Sequence, residues 1–142
     1  MKTELVKDWM TPNPICATPL MTLPEAHQLM KEHRIRRLPV VDRGKLVGIV
    51  TRGDVRGAAP SEATSLSIFE LHYLVGRITL ERLMTKDPVT VPPDLTIGAA
   101  AQLMLQRKIS GLPVAQDGKL VGIITESDIF RMVVKRWHAD EP

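Results

Sequence analysis

The stretch Leu38-Pro39-Val40-Val41-Asp42-Arg43-Gly44-Lys45-Leu46-Val47-Gly48-Ile49-Val50-Thr51-Arg52-Gly53-Asp54 returns later in the chain as Leu112-Pro113-Val114-Ala115-Gln116-Asp117-Gly118-Lys119-Leu120-Val121-Gly122-Ile123-Ile124-Thr125-Glu126-Ser127-Asp128. The offset is 74 residues, and with it residues 6–57 align on 80–131 without a gap. About 20 of the 52 aligned positions are identical, far beyond chance, so the chain is a tandem duplication. Two copies are too few for a solenoid. The expected arrangement is a closed pair about a pseudo-twofold axis, with function in the cleft that the copies make together.

The quoted stretch has its own structural signature. Leu38–Val41 and Lys45–Val50 are apolar runs separated by Asp42-Arg43-Gly44, which predicts a β-hairpin; Gln116-Asp117-Gly118 does the same in the second copy. Thr51 and Asp54, like Thr125 and Asp128, then open a helix. Upstream, Ile15-Cys16-Ala17 and Val89-Thr90-Val91 follow a proline and are expected to be short strands. Thr22 with Glu25 forms a capping-box sequence. Behind it Leu23, Ala26, Leu29, Met30 and His33 recur at helical spacing. Thr96 opens the matching helix, where Ala99 replaces the Glu and weakens the cap. Each copy is therefore β-α-β-β-α, and the class is α+β.

Residues 58–79 separate the copies as a linker, and 132–142 form the end of the last helix and a tail. Within the linker, Ser67 and Glu70 make another capping box, and Ile68, Phe69, Leu71, Leu74, Val75 and Ile78 predict a short amphipathic helix over 66–78. This helix is expected to pack on the core, or else to meet a second subunit. One copy alone would bury only about 60% of its unfolded surface, against roughly 68–70% for the whole chain, so the copies are expected to share a core.

Composition narrows the function. Apolar residues are 44% and charged residues 25%, as in ordinary soluble domains. No run of apolar residues is long enough to span a membrane, and the N-terminus lacks a signal-peptide segment, so the expected location is the cytoplasm. The net charge of +3 is spread evenly over both halves, and only five residues are Phe, Trp or Tyr, which argues against nucleic acid as a partner. A single cysteine, Cys16, excludes an intrachain disulfide and is expected to be a packing residue in a buried strand. Met30 and Met104 match across the repeat and are expected in the core. His27, His33, His72 and His138 lack metal-ligand spacing. No Ser-His-Asp arrangement or Walker phosphate loop is present, so the chain is read as a non-enzyme with no obligatory cofactor and no metal.

Met-Thr-x-x-Pro, Ile-x-x-Leu-Pro-Val and Gly-Ile-[Val/Ile]-Thr-x-x-Asp, twice and in order, resemble a pair of cystathionine β-synthase (CBS) domains, the Bateman module. The resemblance covers nearly the whole chain, and the stand-alone format is similar to small bacterial CBS-pair proteins. It implies two CBS repeats, at 6–57 and 80–131, forming one CBS-pair domain. It also implies a regulatory role, an adenosine-containing ligand and association into disc-like homodimers that act on an effector protein. AMP, ADP or ATP is favoured over S-adenosylmethionine, NAD or a cyclic dinucleotide. Carried over by position, site A takes Arg36, Arg37, Thr51 and Asp54 with Thr85, Val89 and Thr90. Site B takes Ser110, Gly111, Thr125 and Asp128 with Thr11, Ile15 and Cys16.

The chemistry fits such a ligand. A carboxylate accepts hydrogen bonds from both hydroxyls of a ribose diol, and a helix N-terminus attracts phosphate. The same Thr and Asp also satisfy a helix start with no ligand at all. The copies differ where phosphate would sit. Site A has Arg36-Arg37 where site B has Ser110-Gly111, and Arg52 is matched by Glu126. Guanidinium binds phosphate in a bidentate way and stays charged. Site A is thus expected to prefer a phosphorylated adenosine, unless Arg34, Arg36 and Arg37 are only a solvated basic patch. The rival to a sensing role is an oligomerisation protein with degenerate clefts.

Overall fold

The computed structural model describes residues 4–58, 73 and 75–140. Among these the elements run α1 (Val6–Trp9), β1 (Thr11–Pro12), α2 (Leu23–His33), β2 (Arg37–Asp42), β3 (Lys45–Thr51), α3 (Arg52–Gly57), α4 (Leu80–Leu83), β4 (Thr85–Lys86), α5 (Ile97–Arg107), β5 (Gly111–Gln116), β6 (Lys119–Thr125) and α6 (Glu126–Ala139). The expected α+β class and the β2–β3 and β5–β6 hairpins are present. Their two-residue turns, Arg43-Gly44 and Asp117-Gly118, have φ of 52°, 80°, 53° and 78°. Two consecutive positive φ values suit the twist of the flanking strands, which is why glycine stands second in each turn. The repeat is visible in the backbone: the remaining left-handed residues, Asn13 with Asp87 and Arg34 with Lys108, are also 74 apart.

Most of the linker helix expected over 66–78 lies outside the described residues. Val75 and Ile78 are described, and both pack against the core that contains Leu80.

The chain divides into two compact units whose borders are not those of the repeats. Unit I is Met1–Pro14 with Val89–Pro142, and unit II is Ile15–Pro88. Each unit therefore takes its Met-Thr segment from the other copy. In unit II the sheet order is β2-β3-β4, with Ile49 opposite Thr85 and Gly48 opposite Lys86. In unit I the order is β1-β6-β5, with Ile123 opposite Thr11 and Gly122 opposite Pro12. The motif residues explain this exchange. A Cβ at Gly48 would collide with the Met84 side chain, and one at Gly122 with that of Met10. Glycine leaves the space in which the methionine of the opposite copy lies flat on the central strand.

The expectation of one shared core gives way to one core per unit. Unit II packs Ala17, Leu23, Ala26, Met30, Leu38, Val40, Val50 and Val55 around Leu80. Unit I packs Val91, Ile97, Ala100, Met104, Leu112, Val114, Ile124 and Met132 around Val6. Leu80 and Val6 are equivalent residues, and each is fully buried in the unit built mainly from the other copy. Complete burial of one such side chain contributes about 1.5–3 kcal/mol.

Three local expectations are corrected. Ile15–Ala17 and Val89–Val91 are not strands; each is reduced to one parallel bridge, Ala17 to Val40 and Val91 to Val114. Ala17 donates its N–H to Pro39 O (2.9 Å) and accepts from Val41 N–H (2.8 Å), across the bulge between Val40 and Val41. Nearby prolines, Pro14 and Pro19 in one copy and Pro92 and Pro93 in the other, have no N–H with which to extend a ladder. Cys16, expected to be buried, is exposed; the neighbouring Ala17 is the residue of this segment that enters the core. The cap of α2 also differs in detail. Thr22 Oγ1 accepts from Glu25 N–H (3.5 Å), but the Glu25 carboxylate takes the Thr22 hydroxyl proton (2.8 Å) rather than its backbone N–H. Thr96 keeps its cap on Ala99 N–H at 3.2 Å without a Glu.

Candidate functional site

In unit II, β3 ends at Thr51 and α3 begins at once. Asp54 N–H donates to Thr51 Oγ1 (3.1 Å), and Thr51 N–H donates to Asp54 Oδ2 (2.8 Å). This reciprocal capping box fixes the Asp54 carboxylate at the head of the helix. Arg37 is directly across the ladder from Thr51, and Arg52 N–H donates to Arg36 O at 2.7 Å. Thr85 is opposite Ile49, one strand over. The structure thus brings Arg36, Arg37, Thr51, Asp54 and Thr85 onto one unit. Val89 and Thr90, the other residues assigned to site A, belong to unit I.

Unit I repeats the pattern. Gly111 is across from Thr125, Glu126 N–H donates to Ser110 O (3.0 Å), and Thr11 is opposite Ile123. Ser110, Gly111, Thr11, Thr125 and Asp128 share this unit, whereas Ile15 and Cys16 belong to unit II.

The two carboxylates are in different states. Asp54 is half-buried and uses one oxygen, Oδ2; among the described residues Oδ1 has no hydrogen-bond partner. Asp128 is 3% exposed. Its Oδ2 accepts from Thr125 N–H (2.8 Å) and from the Thr125 hydroxyl (3.1 Å). Its Oδ1 accepts from Arg131 Nη1 at 2.8 Å. Sequence reasoning missed Arg131. The signal was available, since Asp128 and Arg131 are an i, i+3 acid–base pair on one helix and the position equivalent to Arg131 is Gly57.

Charge also separates the turns. In unit II a hollow of about 500 Å³ has Met30 and Ile35 in its lining. The remaining lining residues are His27, Lys31, Arg34, Arg36 and Arg52, with no carboxylate among them. The same positions in the second copy are Ala101, Leu105, Lys108, Ser110 and Glu126. Of the arginines expected to meet phosphate, Arg36 and Arg52 line the unit II hollow and Arg37 does not; with Arg34 and with Lys31 of α2 they form a wider cationic surface. Met30 and Met104 are core residues, as expected, whereas His33, which continues the apolar spacing of α2, is exposed, as is His27.

Among the described residues no group of His, Cys, Asp and Glu is arranged to hold a metal ion. No described helix is long and apolar enough to cross a membrane.

A duplicated α+β unit with a Thr-x-x-Asp turn in each half defines a class of paired ligand-module folds. The CBS domain family model matches residues 6–61 and 74–135, and the chain belongs to that family. An inosine-5'-monophosphate dehydrogenase of Korarchaeum cryptofilum is 39% identical over 82% of this chain, which spans only 21% of that enzyme. The chain thus spans about a fifth of the length of the first curated relatives it matches. The crystal structure of the CBS domain pair of protein MJ0100, in complex with 5'-methylthioadenosine and S-adenosyl-L-methionine, superposes with a TM-score of 0.78 at 32% identity. That match covers 94% of this chain and 98% of the other. CBSX2 of Arabidopsis thaliana in complex with AMP also gives 0.78, at 31% identity over 93% of this chain and 97% of that one.

Proposed function

We propose that this chain is a ligand-sensing regulatory module that binds an adenine nucleotide of the AMP, ADP or ATP type at the Thr51–Asp54 turn of unit II and relays its presence to an effector protein. The observation that carries the reading is the Asp54 carboxylate, which is held by Thr51 yet leaves Oδ1 unused among the described residues, on the same turn as Arg52, which with Arg36 lines the cationic hollow. A ribose diol needs such an acceptor, and a phosphate needs such cations. The adenosine compounds held by MJ0100 and CBSX2 support the ligand class. A partner is read only if the nucleotide binds two states of the module with different affinity.

Calorimetry with AMP and ATP tests the reading. Asp54→Ala and Arg37→Ala should each weaken binding about 10–150-fold, the effect of losing a hydrogen bond to a charged group, about 1.5–3 kcal/mol. Wild-type affinity in both variants would eliminate this turn as the site.

A second reading, oligomerisation through a helix face, is favoured by α6. Phe130, Val133, Val134 and Trp137 follow at i, i+3, i+4 and i+7 and are 63%, 45%, 55% and 69% exposed. The two readings are compatible, and we assign the stripe to contact with a second copy of the chain.

A further inference from the structure

We propose that Arg131 closes the second turn to ribose, so that the exchange of glycine for arginine between positions 57 and 131 limits the chain to one nucleotide. The inference rests on the proposed nucleotide reading of the Thr51–Asp54 turn and concerns what makes the otherwise matched Thr125–Asp128 turn different.

Both turns have the same backbone geometry, and in both the Thr N–H lies 2.8 Å from Oδ2 of the Asp. What differs is the rest of the carboxylate. A carboxylate offers about four acceptor positions on two oxygens. On Asp54 only Oδ2 is engaged among the described residues. On Asp128 Oδ2 takes two hydrogen bonds and Oδ1 takes the Arg131 guanidinium. The Asp128 side chain is 4% exposed while that of Arg131 is 62% exposed. Arg131 therefore occupies Oδ1 of Asp128, the atom whose counterpart on Asp54 is open among the described residues. A diol would have to displace the guanidinium of an ion pair, and its hydroxyls bring no positive charge to replace it beside the carboxylate. Guanidinium does not deprotonate in the range of protein titrations, so pH cannot release it.

The helix makes the pair possible. Asp128 and Arg131 are three residues apart on α6, so they face the same side. In α3 the equivalent spacing joins Asp54 to Gly57, which has no side chain to offer. A Cβ at Gly57 meets nothing within 4 Å, so a side chain can start there without a clash.

The test is a reciprocal exchange, read by calorimetric stoichiometry with AMP and with circular dichroism melts to verify folding. Wild type should bind one AMP per chain. Arg131→Ala, which favours the helix, should expose a second site, raising total stoichiometry toward two, with at least a ~10-fold gain in affinity at the new site. The Asp54→Ala/Arg131→Ala double variant should retain only the new site. Gly57→Arg should weaken the first site by at least ~10-fold while the melt stays cooperative. Two AMP per chain in wild type, or one per chain in Arg131→Ala, overturns the role of Arg131 and leaves the nucleotide reading intact provided that Asp54→Ala still loses a site. Absence of AMP binding in both wild type and Arg131→Ala overturns both.

Discussion

Glu4 shows how one side chain can hold an end of the chain in place. Its carboxylate accepts from Arg136 Nη2 (2.5 Å) and from Trp9 Nε1 (2.7 Å), and the guanidinium of Arg136 and the ammonium of Lys135 lie 5.8 and 5.6 Å from the Trp9 ring centre. Hydrogen bonding to Arg136, then to Trp9, holds the Glu4 carboxyl below its ordinary value. A depressed carboxyl contributes stability that is fully present above its unfolded value and lost as pH falls through its folded one. Glu4→Gln should therefore melt lower than wild type near neutral pH, and the gap should narrow as pH falls below the ordinary carboxylate range. Parallel melting curves across that range would remove Glu4 from the account of acid sensitivity. Nothing in the sequence pattern announces this cluster, because Glu4 and Arg136 are linked only through the fold. The Thr-x-x-Asp residues are the opposite case: Thr51 and Asp54 are adjacent on one turn, so their mutual capping was legible from spacing alone. The difference between Asp54 and Asp128 was harder to see, since it lies in a third residue, Arg131, at a position where the other copy has glycine.

Among the elements, the hairpins were legible because a two-residue turn ending in glycine leaves few alternatives. The short strands after Pro14 and Pro88 were not. An apolar triplet predicts extended backbone equally well as a ladder or as a single bridge, and proline decides in favour of the bridge. Helix α6 carries information of a different kind. Its inward side has Asp128 and Met132 buried, and Phe130, Val133, Val134 and Trp137 form a stripe on the exposed side. At the same offset of 74 the sequence has Arg56, Ala59, Pro60 and Ala63, none of them a large apolar residue. Packed antiparallel about a twofold axis, the stripe is self-complementary, with Phe130 against Trp137 and Val133 against Val134 of the second copy. Helix dipoles are then opposed, and the acidic first turn of one helix nears the basic last turn of the other. Wild type should sediment as a dimer. Val134→Glu, which sets two like charges close together across the axis, should sediment as a monomer while AMP binding through Asp54 persists. A dimer that survives this substitution would exclude α6 from the interface.

For the whole molecule, the repeat and the folding unit are different objects. Sequence comparison divides the chain at the repeat borders, because identity is all it measures; packing divides it after Pro14 and Pro88. The sequence carried the clue in Met10, Met84, Gly48 and Gly122, but a motif does not say which copy its partner comes from. The exchange has an energetic consequence. Residues 75–142 alone contain the second copy, yet they lack Val6, which is fully buried in the core of Val91, Leu112 and Ile124. They also lack β1, which pairs with β6, and Met10, which covers Gly122. A fragment of this size is already marginal in the surface it buries. Losing a core aliphatic side chain costs about 2–5 kcal/mol on top of that, comparable to much of the roughly 5–15 kcal/mol by which ordinary domains are stable. The fragment 75–142 should therefore lack a cooperative thermal transition by circular dichroism. A synthetic peptide of residues 1–14, added in excess, should restore one by supplying the missing strand, Val6, Met10 and the Glu4–Arg136 ion pair. The same peptide with Val6→Ala should restore it less well, since it brings the strand without the core side chain. Cooperative melting of the fragment alone, unmoved by either peptide, would mean that the exchanged segment decorates unit I and does not complete it.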